Sequence, residues 1–505
     1  MRLRLIPNRL LNSSSTDCCR RSFHHGLSRA KDSTIFENSL EKTLEVHRST
    51  NRRSLIRKVS NHSVFLVPDT PIVPSTKPAA PKALSRSPTP GLSKRVKRTT
   101  RTPKRTLNIT ENSASRRVQW EVRDGQPYQC PWLNEMCAYR VFSGGLSQLD
   151  AEIRALEKYL TPTAREEAAV HEAVDAVTKD LSGMYSNALH VVGSRRTKFA
   201  MSHSDLNIML LVSDPARLTS ATRKPSANRP EILHRYAKLN SRLHSRLVLS
   251  SSYRLQSPGT QSAQTAIHKP TGLQLQFRHG EEVPVSVEYV QDFQAEYPYT
   301  RRLYMAVRLI LESKGLFGLT KQSLTPFALQ MLVVAFFKLN HGRFSRENGC
   351  GEALLAFLRT FGTDLDLATT GIAVDPPGFF NIDSVKDACA IYNPDDLPAH
   401  LRGQRAFMNG KRSAATAGNQ PLARRLCLQD PANYLNDLGG HCTRIPELQF
   451  ALAEAYAHLK LALDAWEPSK SESGTVGKHN SLLGTVLRAD FYGFELRRAD
   501  IVAAS

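Results

Sequence analysis

The stretch "VVGSRRTKFAMSHSDLNIMLL", residues 191–211, decides how this chain is read. An apolar run enters a Gly-Ser pair at Gly193 and Ser194, and twelve residues after Gly193 comes Asp205, opening a second run, "SDLNIMLLVS". That run alternates enough to be a strand, and in a strand residues i and i+2 share a face. Chemistry at such a place calls for Asp-x-Asp, two carboxylates side by side. Here the first position is Asp205 and the second is Asn207.

Upstream, "LSQLDAEIRALEKYL" (146–160) sets Leu146, Leu149, Ile153, Leu156 and Leu160 on one helical face. In "TPTAREEAAVHEAVDAVTKDL", Thr163 and Glu166 stand at capping-box spacing, with Val170, Val174, Val177 and Leu181 as a second stripe. Downstream, residues 214–270 form a long connection with ten Lys/Arg against Asp214 and Glu231. Within it, "EILHRYAKLNSRLHSRLVL" carries Leu233, Tyr236, Leu239, Leu243 and Leu247 at helical spacing, which predicts a docked helix. Its basic outer face is either a solvated surface or an RNA track. "TGLQLQFRH" (271–279) is strand-like. From about 297 the chain reads as mostly helical, through "YTRRLYMAVRLILESKGL", "TPFALQMLVVAFFKLN" and "GEALLAFLRTF". Residues 375–425 read as a Pro/Gly/Arg-rich irregular insertion, and "IPELQFALAEAYAHLKLALDAW" as a closing helix.

The 505 residues suffice for two or three domains. The net charge of +22 is unevenly spread, because residues 1–117 hold 25 of the 68 Lys/Arg but 7 of the 46 Asp/Glu. A basic segment attracts any polyanion without specifying which. Residues 1–30 are rich in Arg and Ser with a single acid, Asp17, which is the pattern of a mitochondrial transit peptide or of an ordinary basic N-terminus. Residues 31–117 are a Pro/Ser-rich, basic linker expected to lack order. Within them "KRVKRTTRTPKR" (94–105), including Lys94, Arg95, Lys97 and Arg98, offers an RNA-binding tract or a nuclear signal. The eight cysteines show no C-x-x-C pair and no zinc-like spacing with His, so free thiols are expected. The apolar run "FALQMLVVAFF" (327–337) is too short to span a bilayer.

These blocks resemble the nucleotidyltransferase-fold RNA tailing enzymes, the poly(A) polymerases and terminal uridylyltransferases. "EIRALEKYLTPTAREE", "VVGS" and "SDLN" occur in the family's order. "AVRLILESKGL" with "SLTPFALQMLVVAFF" resembles the helix pair under the nucleotide, and "EALLAFLRTFGTDLDL" the start of the poly(A)-polymerase-associated domain. "LCLQDPANYLNDLGG" (426–440) resembles its nucleotide-recognition loop. The match spans roughly 146–466. It implies an α/β nucleotidyltransferase palm, a mixed sheet with helices, over 118–300. A mostly helical associated domain follows over 301–470, with a tail over 471–505.

The resemblance also implies a chemistry. Family catalysis uses three carboxylates holding two Mg²⁺, which activate the RNA 3′-hydroxyl and stabilise the leaving pyrophosphate of an NTP. Asp205 is the first carboxylate and the sole, weak, metal ligand left. Asn207 replaces the second. The third belongs in a pattern such as "GLxIDVSF"; the match "GLQLQF" puts Gln276 there, 32 residues before Arg308. A rival register through "VPVSVEYV" would put Ser286 there, with Glu288 two residues on. Nucleotide-binding positions implied by the family are Gly193, Ser194, Arg308 in place of Lys, Thr325 in place of Ser and Phe327 in place of Tyr. Asp430, Asn433 and Asn436 keep the recognition loop, unless that loop is turn chemistry alone. Lys198 stands where the family has Gly. With Arg195 and Arg196 it either supplies phosphate-binding charge or is a solvent-exposed loop lysine.

The expectation is an RNA-binding member of the family with impaired catalysis, a pseudoenzyme of mitochondrial RNA metabolism. Two alternatives stay open. One is an active poly(A) or oligo(U) polymerase using Mg²⁺ and NTP, with help from Glu281, Glu282 or Glu288. The other is a structural subunit of a mitochondrial ribonucleoprotein or ribosome.

Overall fold

Alternation along residues 206–211 does what it requires of a half-buried strand. Leu206, Ile208 and Leu210 are buried while Asn207, Met209 and Leu211 are partly open on the other face. A computed structural model describes residues 118, 120, 130–136, 142–184, 189–212, 230–256, 263–281, 283, 286–318, 322–344, 349–467 and 481–504. Strands β1 (Leu189–Val192), β2 (Leu206–Leu211), β3 (Tyr253–Leu255), β4 (Ala263–His268) and β5 (Gln274–Gly280) form a five-stranded sheet in the order β1-β2-β5-β4-β3. The sheet is mixed: β2 and β5 run parallel and the other pairs antiparallel.

Two helices cover one face of the sheet. Helix α1 (Gly145–Leu160) turns away from it, while α2 (Ala164–Leu181) and α3 (Pro230–Leu249) supply Ala169, Val170, Ala173, Val177, Leu181, Leu243 and Leu247 to its core. The capping box forms as expected. Glu166 accepts from Thr163 N at 2.6 Å, and Thr163 Oγ1 accepts from Glu166 N at 3.3 Å. Helix α3 also forms where its period placed it, although Leu233 is exposed and Ile232 takes its place inside. The rest of the expected connection is not all loop: β3 and β4 add a hairpin to the sheet edge.

The helical part is built from α4 (Ser286–Glu296), α5 (Thr300–Ser313), α6 (Pro326–Leu339), α7 (Gly349–Arg359), α8 (Ile382–Ala390), α9 (Ala399–Thr416) and α10 (Ile445–Asp464). Helix α6 is apolar nearly all round and is buried accordingly. Helix α1, within the palm range expected over 118–300, joins this helical core through Leu149, Ile153, Leu156 and Leu160. No helix among the described residues is long and apolar enough to cross a membrane.

Three expectations are corrected here. Residues 375–425 are not irregular: strand β7 (Pro377–Phe380) pairs with β6 (Gly371–Val374), which runs parallel to β8 (Cys427–Gln429), and α8 and α9 lie between. The glycines misled, because Gly403 sits mid-helix where a Cβ would collide with the carbonyl of Tyr434, so it permits close packing and does not break the helix. The rival register fails, because Ser286 opens a helix and not a strand. Residues 481–504 are no tail. Glu152, fully buried, accepts from Ser481 Oγ at 2.6 Å, Leu482 N at 3.0 Å and Leu483 N at 2.8 Å, and a final helix α11 (Tyr492–Ala504) follows. Buried Phe491 and Phe494 then pack with Trp120, Trp132 and Tyr159. The transit pattern of residues 1–30 and the basic tract with Lys94, Arg95, Lys97 and Arg98 lie outside the described residues.

Candidate active site

Asn207 and Gln276 are directly paired across the parallel strands β2 and β5. Both lie on the face opposite the palm core, half-buried, and Asp205 immediately precedes β2. The sheet therefore brings together the three positions that the sequence singled out for carboxylates.

The Gly-Ser turn closes over them. Gly193 has φ +71°, and a Cβ there would lie 3.0 Å from Asn207 Nδ2, so both its backbone and its lack of a side chain are used. The Ser194 carbonyl accepts from Phe199 N at 2.8 Å and from Ala200 N at 3.0 Å. Lys198, exposed on this turn, has φ +61°, a conformation that suits the glycine expected there. Its carbonyl accepts from Arg301 Nε at 2.8 Å. Arg196 is likewise exposed.

Arg195 behaves otherwise. Its side chain is only 4% exposed, pointing inward with Nη2 donating to Ser204 O at 2.9 Å and Nη1 3.7 Å from Glu167. Burial lowers its pKa, and Arg497 adds to that, while Glu167, Glu166 and Asp205 oppose it. Asp205 faces Arg497 of α11, with Nη2 and Oδ1 3.9 Å apart. The Gln276 carbonyl oxygen accepts from Arg278 Nη2 at 3.0 Å. Neither Arg278 nor Arg497 was found from the sequence. The available signal for Arg497 was position: Phe494, Arg497, Arg498 and Ile501 follow the spacing of an inward helical face.

Mg²⁺ demands hard, anionic oxygen in near-ideal octahedral geometry. One carboxylate, two amides and three guanidiniums do not meet that demand. Among the described residues no group of three or more His, Cys, Asp or Glu is placed to hold a metal ion. Of the candidates for carboxylate help, Glu288 lies exposed in the first turn of α4, Glu281 lies half-buried directly after β5, and Glu282 is outside the described residues.

The nucleotide positions are divided by the fold. Arg308 adjoins the site, with Nη1 donating to Ser204 Oγ at 3.3 Å, yet it is buried and not an open phosphate-binding cation. Its Nε donates to Glu312 Oε1 at 2.7 Å and its guanidinium lies 5.0 Å from the Phe317 ring. Glu312 Oε2 also accepts from Trp120 Nε1 at 3.2 Å and lies 3.0 Å from His203 Nε2. Thr325 caps α6 by accepting from Ala328 N at 3.2 Å, and Phe327 leans half-buried on the helical core. Asp430 accepts from Ala432 N and from Asn436 Nδ2, both at 2.9 Å, while Asn433 Oδ1 accepts from Leu435 N at 3.1 Å. These are contacts within the loop, of the kind turn chemistry makes. They shape it without joining it to Asp205.

No family model matches the chain. By sequence it is 22% identical over 392 residues to "Poly(A) RNA polymerase cid14" of Schizosaccharomyces pombe, covering 75% of this chain and 50% of that protein. The chain thus spans about half the length of that curated relative. Among solved structures, the polymerase core of TRAMP, an RNA surveillance complex, has a TM-score of 0.49 at 16% identity, covering 71% of this chain and 99% of its own. The structure of mtPAP in apo form has a TM-score of 0.47 at 14% identity, covering 67% of this chain and 73% of its own. The sequence similarity bears out the resemblance to RNA-tailing nucleotidyltransferases.

Proposed function

We propose that this protein is an RNA-binding relative of the tailing nucleotidyltransferases in which the polymerase chemistry is impaired. The observation that carries this reading is the pairing of Asn207 with Gln276, neutral amides in adjacent register on β2 and β5 beside a lone Asp205. Amide oxygens offer a metal no charge, and Arg278 already engages that of Gln276. What remains of the site is a Gly-Ser turn, a sheet face carrying two amides and a cluster of cations, which suits holding a phosphate chain more than moving a phosphoryl group. Exposed Arg235, Lys238, Arg242 and Arg246 along α3 add sequence-independent attraction for RNA. A mitochondrial setting rests on the composition of residues 1–30 and is tested by fusing them to a fluorescent reporter and following its location.

An extension assay tests the function. Labelled RNA is incubated with the full-length protein, each NTP in turn, and Mg²⁺ or Mn²⁺, with Asp205→Ala as control. The expected outcome is RNA retention in a gel shift without 3′ extension. Robust tailing that Asp205→Ala abolishes would overturn the reading and restore the active polymerase.

A further inference from the structure

The site holds more positive charge than a metal site tolerates, and one of its cations comes from the far end of the chain. Helix α11 turns Phe494, Arg497, Arg498 and Ile501 toward the body. Phe494 and Ile501 are buried in two different cores, which fixes the helix against both the palm and the helical part. Arg498 adds an ion pair, with Nε 3.3 Å from Glu166 Oε1 and Nη1 donating to Tyr159 O at 2.9 Å. Tyr159 in turn donates its hydroxyl to Glu495 at 3.0 Å. Between these anchors Arg497 has its side chain 11% exposed, and its guanidinium faces Asp205.

We infer that Arg497 is the resident cation of the degenerate metal site: a guanidinium carried by α11 takes the electrostatic place of a divalent ion at Asp205. Arg195 and Arg278 support it from the Gly-Ser turn and from β5. The inference rests on the proposed loss of polymerase chemistry and deepens it. The site does not merely lack ligands for Mg²⁺; it holds a positive charge where the ion would approach, so restoring the carboxylates alone restores only weak metal binding. Burial lowers the Arg497 pKa, with Asp205 and Asp500 opposing, and an arginine side chain nevertheless stays charged at neutral pH.

The test uses the full-length protein and Mn²⁺ alone as probe, read by loss of the free-ion EPR signal. Asn207→Asp with Gln276→Asp returns two carboxylates beside Arg497. This double variant is expected to bind Mn²⁺ weakly, and adding Arg497→Met to tighten binding on the order of tenfold, the effect of removing one like charge near a half-open site. Equal Mn²⁺ affinity with and without Arg497 overturns the inference. Should the methionine variant not fold, Arg497→Lys in the same double background retains the charge and is expected to match the double variant; clearly tighter binding overturns the inference. Melting of the wild type against Asp205→Asn is independent of any metal. A carboxylate serving as counter-ion to Arg497 makes Asp205→Asn melt roughly 2 °C lower, whereas an unchanged or higher Tm sinks the pairing. Failure of the underlying reading shows separately, as RNA tailing by the wild type whatever the Mn²⁺ titration gives.

Discussion

Two guanidinium–carboxylate centres flank Ser204, and they are built differently. On one side Arg308 and Glu312 are sealed in: both Glu312 oxygens are engaged by Arg308, Trp120 or His203, and the two side chains are 7% and 12% exposed. On the other, Arg497 approaches Asp205 no closer than 3.9 Å and the aspartate remains 39% exposed. Ser204 links them, its hydroxyl accepting from Arg308 and its carbonyl from Arg195. The closed pair behaves as framework, since a buried charge with all its partners in place has nothing left to offer a ligand. The open pair keeps an anion at the surface and cations behind it. Proximity to the site thus does not make a charged residue part of its chemistry; exposure separates the two centres.

The largest way to break that contrast is Glu312→Ala. Stranding Arg308 in the core should cost about 3–5 kcal/mol, read in urea or thermal unfolding. A loss below about 1 kcal/mol, the range of exposed pairs, would place Arg308 among the open cations after all.

Next comes pH. Burial alone would raise the Glu312 carboxyl, but Arg308 and His203 hold it down to about 2 from an ordinary 4.5. Because the folded value lies below the unfolded one, this contribution is complete above the unfolded value and is lost as pH falls through about 2, a difference on the order of 3 kcal/mol. Burial lowers the pKa of His203 against the pull of Glu312, so the unfolded chain takes up a proton there first as pH drops below about 6.5. Both groups make stability fall toward acid, and Glu312→Gln should flatten the acid limb of a stability–pH profile. An unaltered limb would mean that the closed pair is not what the acid attacks.

Smaller effects probe the open side. Gly193→Ala meets both a left-handed φ and the Asn207 amide, and should destabilise by about 1–2 kcal/mol. Lys198→Gly relieves its left-handed backbone and should stabilise by about 1 kcal/mol in the same unfolding assay. If RNA affinity falls with it, the Lys198 ammonium contributes to binding; if affinity holds, the residue is a loop lysine. Asp205→Asn should cost the least, about 0.5–1 kcal/mol, as expected of a half-exposed partner.

The palm was legible because its signals are short-range. The alternation around Ile208, the Thr163–Glu166 box and the period of α3 each depend on residues within a turn or two. Glycine was read less well, since Gly403 in α9 and Gly193 at the turn are the same letter with opposite structural meanings. The first admits a neighbouring carbonyl within a helix; the second bends the chain out of a strand. The candidate site was half legible. The amides at 207 and 276 and the turn at 193–194 could be named in advance, while Arg195, expected to bind phosphate, has its side chain turned inside.

From the sequence alone came the identities that matter chemically: one aspartate and two amides where a metal site would need three carboxylates, on two strands of a recognisable palm. Only the tertiary structure decided which cations attend them. Arg308, expected to meet a phosphate, is withdrawn into a pair with Glu312, and Arg497, expected in a tail, arrives beside Asp205. The reason is that caps and periodicities are set by chain neighbours, whereas an ion partner is set by where helices dock. Docking is governed by the buried faces of Phe494, Ile501 and Tyr159, whose contacts no local spacing encodes.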